Sequence, residues 1–386
     1  METINYFRRR FKKNFMQRYS FITLIIISIS LFNSCGSNSK NDSSDSKETK
    51  FDSATALIFP GEKHLTNVRQ LTFGGDNAEA YFSFDSKKLI FQYTNHKDVM
   101  CDQIFMGDIP TDSSQKFNYK LVSTGKGRCT CSYFLPGDSL ILFASTHAKV
   151  DTCPPVPDKK KLKAYVWPLY NSYEIYFADL RGHIRKQITN NKFYDAEATV
   201  SQKGDKIIFT STRGGDIDLW VMNIDGTNPV QITNTLGYDG GANFSPDGTK
   251  IVWRASRPKT EEEIKKYKDF LAMDLVMPTS LQVFVADADG KNVKQVTDLA
   301  GANWAPAFSP NGKKIIFASN FEHHASYPFN LYLINIDGTG IEKITESTVF
   351  DAFPMFSPNG KYLVFCSNRN DGGNHDTNIF LAEWKD

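Results

Sequence analysis

Five histidines, His96, His147, His323, His324 and His375, fall in segments that read as loops of one kind. Neutral imidazole is a common ligand for first-row divalent metals, so a fold that converges such loops could build a metal centre from them. Loop histidines are equally ordinary as surface residues. Cys129 and His147 form a second constellation, read either as a thiol beside a base or as a local substitution. A third is more regular. Asp195 and Arg213, Asp239 and Arg257, and Asp351 and Arg369 are each 18 positions apart, a spacing that suggests ion pairs fixing neighbouring loops. Tyr165, Trp167 and Trp304, with Tyr194 and Tyr238, could stack on a sugar or on one another. No Gly-x-Ser-x-Gly nucleophile turn is present, which removes the α/β-hydrolase class.

The elements that must position these residues follow from a ten-residue pattern: an apolar residue, a turn, charge, three apolar residues and a closing aromatic. Clear copies run Phe244 to Trp253 (FSPDGTKIVW), Phe308 to Phe317 (FSPNGKKIIF) and Phe356 to Phe365 (FSPNGKYLVF). Degenerate copies begin at Phe82, Phe134 and Val200, giving six in all. Pro presets φ and Gly supplies the positive φ that closes a turn, so each copy is a hairpin of strands a and b. A third strand ending in a turn (LWVMNIDG from Leu219) and a fourth ending in Gln-Ile-Thr or its like follow. Four antiparallel strands, repeated six times, predict an all-β six-bladed propeller over residues 61–386. The last repeat lacks its fourth strand, and Leu65 to Thr72 is expected to supply it and close the ring.

In such a blade the d–a and b–c connections share one face. The pairs Asp195–Arg213, Asp239–Arg257 and Asp351–Arg369 belong there. So do two long b–c insertions, Thr146 to Leu169 and Ser256 to Ser280. The second carries Thr260-Glu261-Glu262-Glu263, a capping box, then Ile264, Tyr267 and Leu271 at helical spacing, and predicts a short amphipathic helix across the mouth. Loops on a rigid scaffold carry function, so the candidate binding face comprises His147, Tyr165, Trp167, Trp304, His323, His324 and His375.

These repeats resemble those of the TolB-type propeller family over nearly all of Leu65 to Asp386. The resemblance implies a non-enzymatic interaction scaffold of the cell envelope, in the setting of the Tol–Pal system, without the extra α/β domain that precedes the propeller in TolB. Some oligogalacturonide lyases resemble the same repeats and use histidines over the channel, which gives an alternative: a metal-dependent carbohydrate-active propeller.

Arg8, Arg9, Arg10, Lys12, Lys13 and Arg18 precede an uncharged run from Phe21 to Phe32 that is too short to span a bilayer, followed by Ser34-Cys35. This resembles a bacterial lipoprotein signal over residues 1–34, with Cys35 lipidated, a Ser/Asp/Lys-rich tether to residue 60, and outer-membrane attachment facing the periplasm or the exterior. Five further cysteines remain, in an oxidising compartment, and a disulfide from Cys153 to Cys129 or Cys131 is expected. The whole chain of 386 residues has 45 basic and 43 acidic residues, a balance that excludes a dedicated nucleic-acid binder. Residues 1–34 hold six Lys or Arg and one Glu, so the chain from Cys35 is slightly acidic, about −3. A monomer that binds an envelope protein or polymer, held at the membrane only by lipid and needing no cofactor, is the resulting expectation.

Overall fold

A computed structural model describes residues 57–112, 114–323 and 327–386. The signal, Cys35 and the tether up to residue 56 lie outside the described residues, as does His324. Six four-stranded antiparallel sheets are present, each with strands in the order a, b, c, d. In blade three these are Asp195–Val200, Lys206–Ser211, Asp218–Asn223 and Val230–Gln231. In the last blade, Leu65–Gln70 pairs antiparallel with Asn378–Trp384, so the first strand of the fold completes the sixth sheet.

Each part of the repeat has a visible job. The closing aromatics Phe91, Phe143, Phe209, Trp253, Phe317 and Phe365 are fully buried between blades, where each contributes about 2–3 kcal/mol of transfer free energy. In the hairpins, Ser245, Ser309 and Ser357 accept the backbone N–H five residues on at 2.9, 3.0 and 2.9 Å, and Gly248 takes φ +72° to close the turn. The Thr that follows the fourth strand in blades two to five accepts the N–H of the third, Thr189 from Ile175, Thr233 from Leu219, Thr297 from Val283 and Thr345 from Leu331, and Ser123 accepts from Ile104 in blade one. Thr72 does the same for Ile379 across the ring closure. The N-terminal strand therefore repeats the local chemistry of every other blade as well as its pairing.

Strand a lines the channel, and in every blade it carries a bulge. Glu79, Cys131, Glu197, Gly241, Ala305 and Phe353 occupy equivalent bulge positions, all with φ between +46° and +62°. Such a bulge bends the strand and re-aims its side chains. Here all six bulge residues line one cavity.

Candidate functional site

The b–c insertions of blades two and four pack against each other. Trp167–Pro168 of the first pairs antiparallel with Leu275–Val276 of the second, and Ala164, Val166, Phe270 and Leu275 form a small core between them. The helix Glu261–Leu271 begins with the expected capping box: Thr260 Oγ1 accepts from Glu263 N while the Glu263 carboxylate accepts from Thr260 N. Tyr267 on this helix donates to Asp216 of blade three. Trp167 packs 5.9 Å from Trp304 and 6.4 Å from Tyr238, ring centre to ring centre. Together the insertions make a cap over one end of the channel. Tyr165 and Trp304, expected on an exposed face, are instead buried in its seating.

Beneath the cap lies a small cavity of about 30 Å³ lined by all six inner strands. Its polar centre is Arg254, whose Nη2 lies 3.0 Å from Glu197 Oε1 and 2.7 Å from Tyr238 Oη. Tyr238 Oη in turn donates to Glu197 Oε1 at 2.9 Å, and Gly241 N and Thr210 Oγ1 donate to Glu197 Oε2 at 2.7 and 3.0 Å. Arg254 reaches the lumen because blade four has glycines where other blades have side chains: a Cβ on Gly241 would stand 2.0 Å from Arg254 Nη1, and one on Gly240 2.4 Å from Glu197 Oε2. Glu79 faces the same cavity with Oε2 unpartnered, and burial pushes its carboxyl up, against the pull of the Cys131 thiol and Arg254. Two carboxyl groups thus face one buried cation in the lumen.

The opposite end of the channel is open. Tyr81, Tyr133, Phe356, Pro246, Pro310 and Pro358 line this mouth on the a–b turn side, which encloses about 250 Å³ and shares Tyr81, Asn243 and Met355 with the inner cavity.

The Asp–Arg spacing corresponds to contacts in the structure. Arg213 Nη2 lies 2.5 Å from Asp195 Oδ2, Arg257 Nη2 2.6 Å from Asp239 Oδ1, and Arg369 Nη2 2.8 Å from Asp351 Oδ2. The third pair has an additional member that sequence reasoning missed: Glu62 Oε1 is 2.9 Å from Arg369 Nη2, with all three side chains fully buried. Glu62 lies before the first strand and has no repeat partner to announce it.

Asp218, near the start of strand c in blade three, is a further acidic group under the cap. It accepts from Thr233 Oγ1 at 3.1 Å and Gln231 Nε2 at 2.9 Å. Burial, then the neighbouring Asp216 and Asp239 charges, raise its pKa to about 7. A folded-state pKa above the unfolded value gives stability that is fully present below about pH 3.8 and is lost as pH rises through about 7. Asp218→Asn is therefore expected to raise the melting temperature at pH 8 and to leave it nearly unchanged at pH 3.5. Thermal melts of both proteins at the two pH values check this.

Among the described residues the histidines do not converge. His147 Nδ1 contacts Ser145 Oγ at 2.9 Å and its ring packs on Tyr176; His96 lies 3.7 Å from Asp76; His375 lies 3.9 Å from Asp371; His323 ends a short 3₁₀ turn. Among the described residues no three His, Cys, Asp or Glu side chains are grouped to hold a metal. Cys129 donates to Ser145 Oγ, and burial pushes its thiol up to about 12, the reverse of an activated nucleophile.

The disulfide expected from Cys153 to Cys129 or Cys131 is instead Cys101–Cys153, with Cα atoms 5.8 Å apart. Cys129 and Cys131 are buried on strand a of blade two, Cys131 on the channel bulge, whereas Cys101 and Cys153 both sit in b–c loops. A non-reduced digest is expected to yield the Cys101–Cys153 cross-linked peptide, with Cys129 alkylated only after unfolding.

A family model described as the TolB beta propeller domain matches residues 148–266 and 271–378. Among solved structures, a protein assigned as TolB from Agrobacterium tumefaciens aligns with a TM-score of 0.51 at 18% identity, covering 83% of this chain and 97% of that one. TolB from Acinetobacter baumannii aligns at 0.52 and 19%, covering 78% of this chain and 64% of its own. An oligogalacturonate lyase from Vibrio parahaemolyticus aligns at 0.49 and 13%, covering 81% and 79%. At these identities the likeness is one of fold.

Proposed function

Since the chain belongs to the TolB β-propeller domain family, we propose that it is an envelope lipoprotein, anchored through Cys35, whose propeller is a non-enzymatic scaffold for another envelope component. The observation that carries the binding role is the asymmetry of the channel. One end is stoppered by Trp167 and the cap, while the other opens through an aromatic and proline-lined mouth onto Glu79, Arg254 and Glu197. A concave apolar entrance with a few convergent polar groups is the usual form of a recognition site. A segment of the partner enters from the a–b turn side, stacks on Tyr81 and Tyr133, and directs a polar end at the carboxyl groups.

Two measurements test the reading. A photo-cross-linking side chain at Gln202, which lines the open mouth, is expected to trap an envelope protein in intact cells, and the same group at Lys265 on the cap helix is not. Recovery of Tol–Pal components would identify the setting. Equal adducts at both positions, or none at Gln202, would overturn the placement. Cys35→Ser is expected to move the protein from the membrane fraction to the soluble one and to remove the mass of the lipid.

A further inference from the structure

The largest exposed apolar side chains are not spread evenly over the ring. Phe73 (72% exposed), Met100 (62%), Met273 (51%) and Val156 (42%) stand on the face that carries the d–a and b–c connections. Phe73 lies between the closing strand and strand a of blade one, Met100 in the b–c loop of blade one, and Val156 and Met273 in the two cap insertions. Of the other exposed apolar residues of the ring itself, Leu121 and Val230 lie on the outer strands, and Val293 and Ile341 end c–d connections on the opposite face. No a–b turn among the described residues carries one. The Cys101–Cys153 disulfide joins the segment next to Met100 to the segment next to Val156, so these two apolar tips are held on one rigid rim.

One segment of this face is basic. The blade-two insertion, residues 146–172, has five Lys against two Asp, in a chain that is net acidic from Cys35 onward. Lys160, Lys161 and Lys163 are exposed, and Asp158 is occupied in capping the short helix that holds them, accepting from Lys160 N and Lys161 N. An apolar groove of about 500 Å³ runs between Pro154–Pro157 of the same insertion and Met273–Leu275. Leu57, the first described residue, is on this face too: its carbonyl accepts from Arg369 Nη1 at 2.9 Å, and Arg369 follows strand b of blade six.

Protruding apolar tips beside a lysine cluster are what an anionic bilayer surface recognises: side chains enter the headgroup boundary and ammonium groups meet lipid phosphates. We infer that this face docks on an anionic membrane, with Phe73, Met100 and Val156 inserted and Lys160, Lys161 and Lys163 on the headgroups. The channel mouth then points away from the membrane, toward its partner. The orientation rests on the proposed Cys35 anchor, whose tether would join the fold at the same face; the docking surface itself does not require that anchor.

The test uses the full chain from residue 35 with Cys35→Ser, so that no acyl chain contributes, and sucrose-loaded vesicles of phosphatidylglycerol with phosphatidylethanolamine, or of phosphatidylcholine alone. Sedimentation with the anionic vesicles and not with the neutral ones is expected. Lys160→Glu/Lys161→Glu/Lys163→Glu should weaken that binding roughly a hundredfold, since each Lys contributes about a factor of five near an anionic surface. Phe73→Ser/Met100→Ser/Val156→Ser should weaken it at least tenfold. Lys87→Glu/Lys203→Glu/Lys313→Glu changes the same charge on the opposite, a–b turn face and should leave binding within twofold. Absence of vesicle binding, equal binding to neutral vesicles, or an equal loss in the opposite-face variant would each overturn the inference. Capture of a soluble acidic protein by the lysine cluster without vesicle binding would overturn it in favour of a protein partner. Failure of Cys35 acylation in cells would leave the vesicle result standing and would be seen separately in the mass of the protein.

Discussion

Arg369→Met is expected to lower the free energy of unfolding by about 3–5 kcal/mol, measured by urea denaturation at pH 7.5. Arg369 is fully buried, with Glu62 and Asp351 on its guanidinium and the rings of Phe59 and Phe365 each 4.9 Å from it. Met matches much of the volume but leaves two carboxyl groups facing each other with no cation, and burial already pushes the Glu62 carboxyl up. The cost is therefore mainly that of stranded charge, and it can be separated from lost packing. Adding Glu62→Gln and Asp351→Asn to Arg369→Met should recover a large part of the loss. If the triple variant is as unstable as the single one, packing on Phe59 and Phe365 dominates and the electrostatic account is wrong.

Arg254→Met should cost a similar amount at pH 7.5, but with a pH dependence that Arg369→Met has less scope to show. Glu197 and Glu79 line a channel that water and protons reach from the open mouth. Without Arg254 the charged form of Glu79 loses a nearby cation, and its carboxyl pKa rises beyond the shift that burial already imposes on it. Raised folded-state values mean stability that is present at low pH and lost as pH rises through them, so the deficit should shrink between pH 7.5 and pH 5. Denaturation midpoints for wild type and variant at both pH values give the answer; a deficit of the same size at each would show that the cluster does not titrate as argued.

How far the sequence disclosed all this depended on repetition. The turn chemistry of Ser245–Gly248, the buried closing aromatics and the Thr at the end of each fourth strand recur six times or nearly so, and register analysis placed them and the Asp–Arg pairs together. The capping box marked the cap helix because its signal is local. What repetition does not mark was missed. The cap forms through two-residue strands, Trp167–Pro168 and Leu275–Val276, too short to have a period. Glu62 lies outside every repeat. Cys101 pairs with Cys153 because two b–c loops converge, a matter of tertiary geometry. Arg254 was within reach: it is the only charged residue in a register that otherwise holds Gln92, Ala144, Thr210, Ala318 and Cys366, and it faces Glu79 and Glu197 in the bulge register.

The pairing of Leu65–Gln70 with Asn378–Trp384 sets a schedule for the chain as well as a shape. Closing a loop of that span carries a large entropic cost before any native contact offsets it, and non-local strand pairing is slow for the same reason. A chain made from its N-terminus outward presents Leu65–Gln70 first and its partner last. Until Asn378–Trp384 is available, the sixth sheet has nothing to close against and the buried Glu62–Arg369–Asp351 triad cannot assemble. The ring therefore stays open until that strand is made, although the sheets of blades one to five, each built from strands close in sequence, do not wait for it.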